Sequence, residues 1–152
     1  MDADTVIRTL GLEPHPEGGA FRETFRDPRR VAGPGGEERE WSTAIYYLLR
    51  RGEVSHWHRV DAAEVWHHYA GAPLELEVSP DGREQWAHLL GDDLADGQRP
   101  QAVVPTGAWQ RARSRGDWTL VGCTVAPAFR FDGFELAPEG WTPGDGSGSP
   151  GS

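Results

Sequence analysis

Short segments with the length and composition of β-strands recur along the chain, and their spacing constrains the fold more than any other feature. Residues 20–26, 43–50, 74–78 and 101–104 are rich in β-branched, aromatic or alternating apolar residues. Turn-forming residues separate such segments, as in the sequence SPDG at 79–82, where proline and glycine both suit a tight turn. The pattern predicts roughly nine or ten short strands at hairpin spacing, which is typical of an all-β sandwich or barrel.

The rest of the chain adds one short helix and no second domain. Residues 2–10 have an apolar stripe at helical spacing, and a glycine follows them. Residues 27–40 are rich in Gly, Pro and charge and are predicted to form a loop, whereas 129–136 are predicted to form the last strand. We therefore expect a single domain over residues 1–142 and a disordered Gly/Ser/Pro tail over 143–152.

The composition limits which kinds of binding partner and which cellular compartment are expected for this protein. The chain has 152 residues, a formal net charge of −9 and a pI of about 5.0, which argues against binding to nucleic acid or to an anionic membrane surface. No apolar run approaches the ~20 residues that span a bilayer. Cys123 is the single cysteine, so no intrachain disulfide can form. We expect a soluble cytoplasmic protein whose partners include neither nucleic acid nor membrane.

Four of the six histidines lie within residues 52–71, together with Glu64. In an extended strand, residues two apart face the same side, so His56 and His58 are expected to point together. Two imidazoles and a carboxylate form the ligand set of a facial-triad metal site. The first hypothesis is therefore one divalent transition metal bound by His56, His58 and Glu64, with Gln110 as a further ligand.

A metal-free pocket explains the same residues in a second way. His58 and Glu64 would then bond to each other and to a ligand, and a histidine and a carboxylate in a partly buried pocket can take and return a proton near neutral pH. His67 is the third candidate for this catalytic set.

Other side chains are candidates for ligand binding. Glu17 precedes two glycines, which allow a close approach of the backbone, and Glu23 lies on the apolar face of a predicted strand, where a carboxylate needs a partner. Trp109, beside Gln110, could form a wall of a pocket. Tyr46 and its neighbour in the same strand face opposite ways, so at most one of them reaches a pocket; Tyr46 is the candidate.

The sequence also resembles a known family. The segments GEVSHWHRVDAAEVWHHYAG at 52–71 and PTGAWQ at 105–110 resemble the two motifs of the cupin superfamily. The segments PHPEGGAFRETFR at 14–26 and GQRPQAVVPTGAWQ at 97–110 look like the DUF985 (Cupin_5) branch. The resemblance implies a double-stranded β-helix, or jelly-roll barrel, with an internal pocket, and a homodimer paired through a sheet edge. Gln110 stands where metal-binding cupins have their last histidine, so the resemblance also implies that Gln110 faces inward and is a further candidate for ligand binding.

The residues and the resemblance together leave three functions open. The first is a pocket that binds a small metabolite, such as a sugar or a sugar nucleotide, and catalyses acid–base isomerisation or epimerisation. The second is a metal-dependent cupin enzyme, namely an oxygenase, isomerase or hydrolase. The third is a module that binds a ligand and turns nothing over.

Overall fold

The computed structural model describes residues 1–144, so the predicted tail lies outside the described residues from 145 onwards. One α-helix, α1 (Ala3–Leu10), precedes the strands. The carboxylate of Asp2 caps it by accepting a hydrogen bond from the Thr5 N–H at 2.8 Å, and Gly11 ends it with a φ of +68°. Within residues 1–144, no helix has the length and apolar character to cross a membrane.

Thirteen strands follow in the described part of the chain, and several of them begin and end within a residue or two of the segments predicted from the sequence. They are β1 (Glu13–Pro14), β2 (Ala20–Arg26), β3 (Arg30–Ala32), β4 (Glu38–Glu40), β5 (Thr43–Arg50), β6 (Val54–Val60), β7 (Ala63–Gly71), β8 (Leu74–Ser79), β9 (Trp86–Leu90), β10 (Gln101–Val104), β11 (Trp109–Ser114), β12 (Trp118–Ala126) and β13 (Phe134–Leu136).

The strands form two facing antiparallel sheets. One sheet has six strands in the order β1-β2-β5-β12-β7-β10, and the other has five in the order β13-β6-β11-β8-β9. The strands β3 and β4 form a separate hairpin. The predicted all-β jelly roll with one short N-terminal helix is confirmed.

The core fills most of the space between the two sheets. The side chains of Leu74, Leu76 and Val78 point inward from β8 and are completely buried. They pack in one cluster with Trp66 and Tyr47 of the opposite sheet. Burying an aliphatic side chain of this size stabilises a fold by about 2 kcal/mol. This apolar core therefore provides a rigid support for the polar side chains at the open end of the sandwich.

Two segments differ from the prediction. The predicted loop over 27–40 contains the β3–β4 hairpin, and the predicted last strand over 129–136 is regular only from Phe134. The first part of that segment has other hydrogen-bond partners, because the Phe129 N–H donates to Thr43 Oγ1 at 3.0 Å. The Ala128 N–H donates to the Glu40 carbonyl at 3.0 Å. These bonds hold the segment across the open end of the sandwich.

Candidate functional site

A cavity of about 320 Å³ lies between the sheets at their open end. Aromatic side chains form much of its wall, and ionisable groups form its floor. The floor consists of Glu17, His58 and Glu64, whose exposed fractions are 6%, 3% and 7%. The aromatic side chains are Phe21, Tyr47, Trp66, Phe129 and Phe131.

Glu17 reaches the floor from the loop between β1 and β2. The two glycines after it have φ values of +110° (Gly18) and +81° (Gly19), which L-residues with a side chain rarely adopt. A Cβ on Gly18 would lie 2.2 Å from the Val54 carbonyl oxygen. The His56 N–H donates to the Glu17 carbonyl at 3.1 Å, which ties the loop to β6. The glycines therefore let the loop pack against the strands closely enough to insert the Glu17 carboxyl between the sheets.

Glu17 and His58 form a buried pair. His58 Nε2 lies 3.1 Å from Glu17 Oε2, and His58 Nδ1 lies 2.8 Å from the His56 carbonyl oxygen. Because that carbonyl can only accept, Nδ1 carries a hydrogen and Nε2 faces the carboxyl. Burial raises the pKa of Glu17 to about 8, against the hydroxyls of Ser55 and Tyr47, which lower it. Burial lowers the pKa of His58, against the charge of Glu64, which raises it. One proton is thus held between the two side chains near neutral pH.

Glu64 is held by a chain of hydrogen bonds from β7 to β11. The Trp66 Nε1–H donates to Gln110 Oε1 at 2.9 Å, and Gln110 Nε2 donates to Glu64 Oε1 at 2.8 Å. An indole can only donate, so this chain fixes the orientation of the Gln110 amide. Burial raises the pKa of Glu64 to about 7; the charge of His58 and the Gln110 hydrogen bond act in the opposite direction. A carboxyl with this pKa exchanges its proton at neutral pH.

Two further groups border the floor. His15 Nδ1 accepts the backbone N–H of Glu17 at 3.1 Å, and burial, then the charge of His58, lower the pKa of His15 to about 4. Cys123 lies beside Glu64, and burial raises the pKa of its thiol well above the usual value. Both are therefore neutral near pH 7, and the thiol is not a ready nucleophile.

The rim of the cavity carries paired charges. Arg26 Nη2 lies 2.7 Å from Glu23 Oε1, and the same guanidinium donates to the Phe129 carbonyl at 3.1 Å. Arg130 Nη2 lies 3.3 Å from Asp132 Oδ2. Glu23 faces the cavity, as the sequence predicts, and Arg26 is the partner that it needs. Regular strand alternation would place Phe25 on the same face as Glu23, but an extra residue in β2 between Glu23 and Phe25 turns the Phe25 side chain outward.

His56 does not point with His58, contrary to the prediction from strand alternation. In the pairing of β11 with β6, Gln110 faces His58 and Ala112 faces Ser55. Two residue steps on β11 therefore match three on β6, which is a β-bulge. The bulge breaks the alternation, so His58 is buried in the cavity whereas His56 is exposed and borders a different surface pocket.

His67 and Tyr46 lie away from the cavity, on the outer face of the six-stranded sheet. Glu64 and Trp66 point inward from β7, so His67, the next residue after Trp66 in the strand, points outward. His67 Nε2 lies 3.1 Å from Thr124 Oγ1, and its ring stacks on Tyr69 at 6.3 Å. Tyr46 packs edge-on against the same Tyr69 ring.

Trp109 is also outside the cavity. It is completely buried in a cluster with Trp57 and Trp141 on the other side of the five-stranded sheet. The structure instead brings Tyr47 into the cavity wall. The sequence does not distinguish the face of β5 that carries Tyr47, because both faces are apolar. One face contacts the core between the sheets, and the other, which carries Leu48, packs against α1.

The proposed metal ligands do not fit a metal ion. His56 lies outside the cavity, the Gln110 carbonyl oxygen is directed at the Trp66 indole, and His58 Nε2 faces Glu17. Within residues 1–144, no group of three or more His, Cys, Asp or Glu side chains is arranged to hold a metal. We therefore derive no chemical step through a metal.

Comparisons with known proteins agree with this fold. A hypothetical protein from Leishmania major is 31% identical, with a TM-score of 0.84, over 89% of this chain and 86% of that chain. A protein from Shewanella oneidensis is 43% identical, with a TM-score of 0.81, over 90% and 84%. An oxalate decarboxylase variant from B. subtilis shares the fold alone, at 12% identity and a TM-score of 0.57, over 81% of this chain and 29% of that chain.

No functionally curated protein matches the chain. The family model Cupin_5, described as cupin superfamily (DUF985), matches residues 4–137. This match spans most of the chain, and the two relatives above have a similar length and the same fold. The chain therefore belongs to the Cupin_5 (DUF985) family of the cupin superfamily.

Proposed function

We propose that the cavity binds a small polar metabolite and exchanges a proton with it, in an acid–base isomerisation or epimerisation. Cupin proteins in general bind small ligands or use metals. The observation that carries the proposal is the cavity floor, where three buried ionisable side chains, Glu17, His58 and Glu64, face one cavity. Ionisable groups are rarely buried without a partner or a function.

The floor offers two separate units for proton transfer. Glu64, with a pKa of about 7, can accept a proton from a bound ligand and return it at neutral pH. The Glu17–His58 pair holds a second proton, shared between Glu17 Oε2 and His58 Nε2, which lie 3.1 Å apart. Removing a proton beside a carbonyl and returning it elsewhere needs a base and an acid at once, and such pairs contribute about 10²–10⁴-fold to a rate.

The sugar-nucleotide ligand considered from the sequence is less well suited to this cavity than a ligand without phosphate groups. Phosphates are usually bound by arginines that are free to make bidentate contacts. Both arginines of the rim, Arg26 and Arg130, already contact carboxylates. The proposal is therefore restricted to small metabolites without phosphate.

The test combines binding with isotope exchange. Carbonyl-containing metabolites are screened for thermal stabilisation of the protein, and each one that binds is incubated in D₂O and followed by NMR for loss of a C–H signal. We expect exchange that persists in the presence of a chelator, falls by about 10²-fold or more in E64Q, as for the loss of a general base, and is unchanged in the outer-face variant H67A.

The outcomes separate the alternatives. Binding that depends on His58 and Glu64 but gives no exchange would make the protein a binding module. Exchange that is lost with the chelator and restored by a transition metal would favour the metal-dependent enzyme. Stabilisation that is equal in wild type, H58Q and E64Q would show that the ligand binds elsewhere and would contradict the proposal.

We also propose that the protein forms a homodimer through a sheet edge. The edge strand β10 exposes about half of the Val103 side chain, at 53%, and the neighbouring strand β7 exposes Tyr69 to the same extent, at 53%. Exposed apolar groups at an unpaired edge favour pairing with a second chain. Light scattering after size exclusion should give twice the chain mass for the wild type and a lower mass for V103E; a monomeric wild type would contradict the proposal.

A further inference from the structure

We infer that the ligand of this cavity is a small organic cation, an amine or amidine carried on an apolar body. The inference rests on the proposed function, since it concerns the same cavity, and it names the chemical class of the ligand. It follows from three properties of the cavity: an excess of carboxyl groups, a rim whose charges are already paired, and walls of aromatic rings.

The first property is the balance of ionisable groups. The lining contains four carboxyl side chains and two guanidinium groups. Glu23 and Asp132 contact the two arginines at the rim, which leaves the carboxyls of Glu17 and Glu64 at the floor. These two carboxyls are almost completely buried, and the sequence contains no lysine that could compensate them.

The histidines at the floor do not remove this excess. His15 uses Nδ1 to accept the Glu17 N–H, and its pKa of about 4 keeps it neutral. His58 donates its Nδ1 hydrogen to a carbonyl and faces Glu17 with Nε2, so Nε2 and the Glu17 carboxyl share one further proton. Near neutral pH, protons bound to the carboxyls neutralise the negative charge of the floor. A cationic group on a ligand can take the place of these protons.

The second property excludes the opposite charge. An anionic ligand would need a free cation at the rim or the floor. Arg26 contacts Glu23, Glu40 and the Phe129 carbonyl, and Arg130 contacts Asp132 and the Glu38 carbonyl. Breaking these contacts to bind an anion would leave carboxylates unpaired beside the cavity, which opposes anion binding.

The third property is the wall. Rings of Phe21, Tyr47 and Trp66 line the inner part of the cavity, and Phe129 and Phe131 line the part near the mouth. The faces of aromatic rings attract ammonium and guanidinium groups, with a gain of about 0.5–2 kcal/mol according to solvent exposure. The same rings provide apolar surface for the body of the ligand, and a volume of about 320 Å³ accommodates a small metabolite.

Cation binding should be coupled to the protonation of the floor. A cation favours the ionised carboxyls, so its binding releases protons while the pH is below their pKa values. His15, His58, Tyr47 and Cys123 face these carboxyls from the neighbouring elements. At neutral pH none of these four side chains offers a free positive charge to the carboxyls, since His15, Tyr47 and Cys123 are neutral and His58 shares one proton with Glu17. Affinity for a cation should therefore rise with pH between about 6 and about 8.

The experiment uses three probes of similar size and shape that differ in charge: benzylamine, benzyl alcohol and benzoate. Binding to the full chain is measured by ligand-observed NMR and by calorimetry at about pH 6 and about pH 8, in two buffers with different ionisation heats. We expect benzylamine to bind at least about tenfold more tightly than benzyl alcohol, benzoate not to bind, and benzylamine binding to tighten at the higher pH with release of protons.

Variants locate the effect. In E64Q, one of the two floor carboxyls is lost, so the preference for benzylamine over benzyl alcohol should fall by at least about threefold. Benzyl alcohol binding that is retained in E64Q shows that the variant is folded. The control E84Q, at an exposed position in the loop between β8 and β9, should behave as the wild type.

Each other outcome overturns the inference. Tighter binding of benzyl alcohol or benzoate, lost in E64Q, would show that the cavity is a ligand site for a neutral or anionic molecule; the proposed function would stand and the cation assignment would fail. Benzylamine that is displaced by a stoichiometric divalent metal would identify the cation as a metal. If none of the probes binds, the inference fails, and the metabolite screen described above decides the proposed function independently.

Discussion

Replacing Glu64 by glutamine should change the pH dependence of stability in a direction that the cavity geometry fixes. Glu64 is 7% exposed, and burial raises its pKa from 4.5 to about 7. Glutamine keeps the shape of the side chain and can still accept the hydrogen bond from Gln110. The substitution therefore removes the titration with little change in packing.

The sign follows from linkage. Between pH 4.5 and about 7, the folded protein keeps a proton on Glu64 that the unfolded chain has released, so the contribution of this group to stability falls as the pH rises. A pKa that is higher by about 2.5 corresponds to about 3 kcal/mol, at about 1.4 kcal/mol for each pH unit. Relative to the wild type, E64Q should become more stable by about that amount between about pH 4.5 and about pH 7.5.

Urea denaturation followed by tryptophan fluorescence at several pH values measures this difference directly. Comparing E64Q with the wild type cancels the opposite contribution of His15, whose lowered pKa makes stability fall as the pH decreases below 6.5. The exposed control E84Q should show a difference from the wild type that is small at every pH. A difference between E64Q and the wild type that is flat with pH, or that decreases as the pH rises, would refute the assignment of Glu64 as a buried carboxyl that is protonated at low pH.

Three further predictions concern the groups around the floor. W66F removes the donor to Gln110 and leaves its buried carbonyl oxygen unpaired, so we expect a loss of about 1–3 kcal/mol in urea denaturation; no loss would mean that this hydrogen bond is absent in solution. G18A places a Cβ against a backbone carbonyl oxygen at 2.2 Å and should destabilise by more than about 3 kcal/mol, whereas G36A, with no atom near its Cβ, should lose about 1 kcal/mol through its positive φ alone; equal losses would argue against a closely packed loop. H67A should leave the affinity of any cavity ligand unchanged in a thermal-shift titration, because the side chain lies on the outer face of the sheet; a weakened affinity would place His67 at the site.

Part of the site follows from the sequence because its residues obey simple strand alternation. Glu64 and Trp66 are two apart in a regular strand, and both point into the cavity. Gln110, expected to face inward, does so and contacts Glu64. The loop with Glu17 could be singled out because consecutive glycines indicate a close approach of the backbone.

The other assignments depended on features that local patterns do not reveal. A single extra residue in β6 places His56 at the surface and His58 in the cavity, although the two histidines occupy equivalent positions in an ideal strand. Tyr46 lies in a strand with apolar groups on both faces, so the face toward the cavity was not distinguishable from the face toward a second cluster. Trp109 precedes the inward-facing Gln110, so strand alternation places it on the opposite face, in the cluster with Trp57 and Trp141.

The fold of this protein can be predicted from its amino-acid sequence, because hairpin spacing and the cupin-like motifs are distributed over nearly the whole chain and each turn signal acts locally. Which ionisable groups come into contact depends on the three-dimensional packing of the strands and loops. Glu17 comes from the loop between β1 and β2, whereas His58 and Glu64 come from the consecutive strands β6 and β7. Their proximity depends on the bulge in β6 and on the insertion of the Glu17 loop between the sheets. Side chains in a strand alternate with a period of two, so one added residue exchanges the inner and outer faces. The composition of the strand does not indicate where that residue is added.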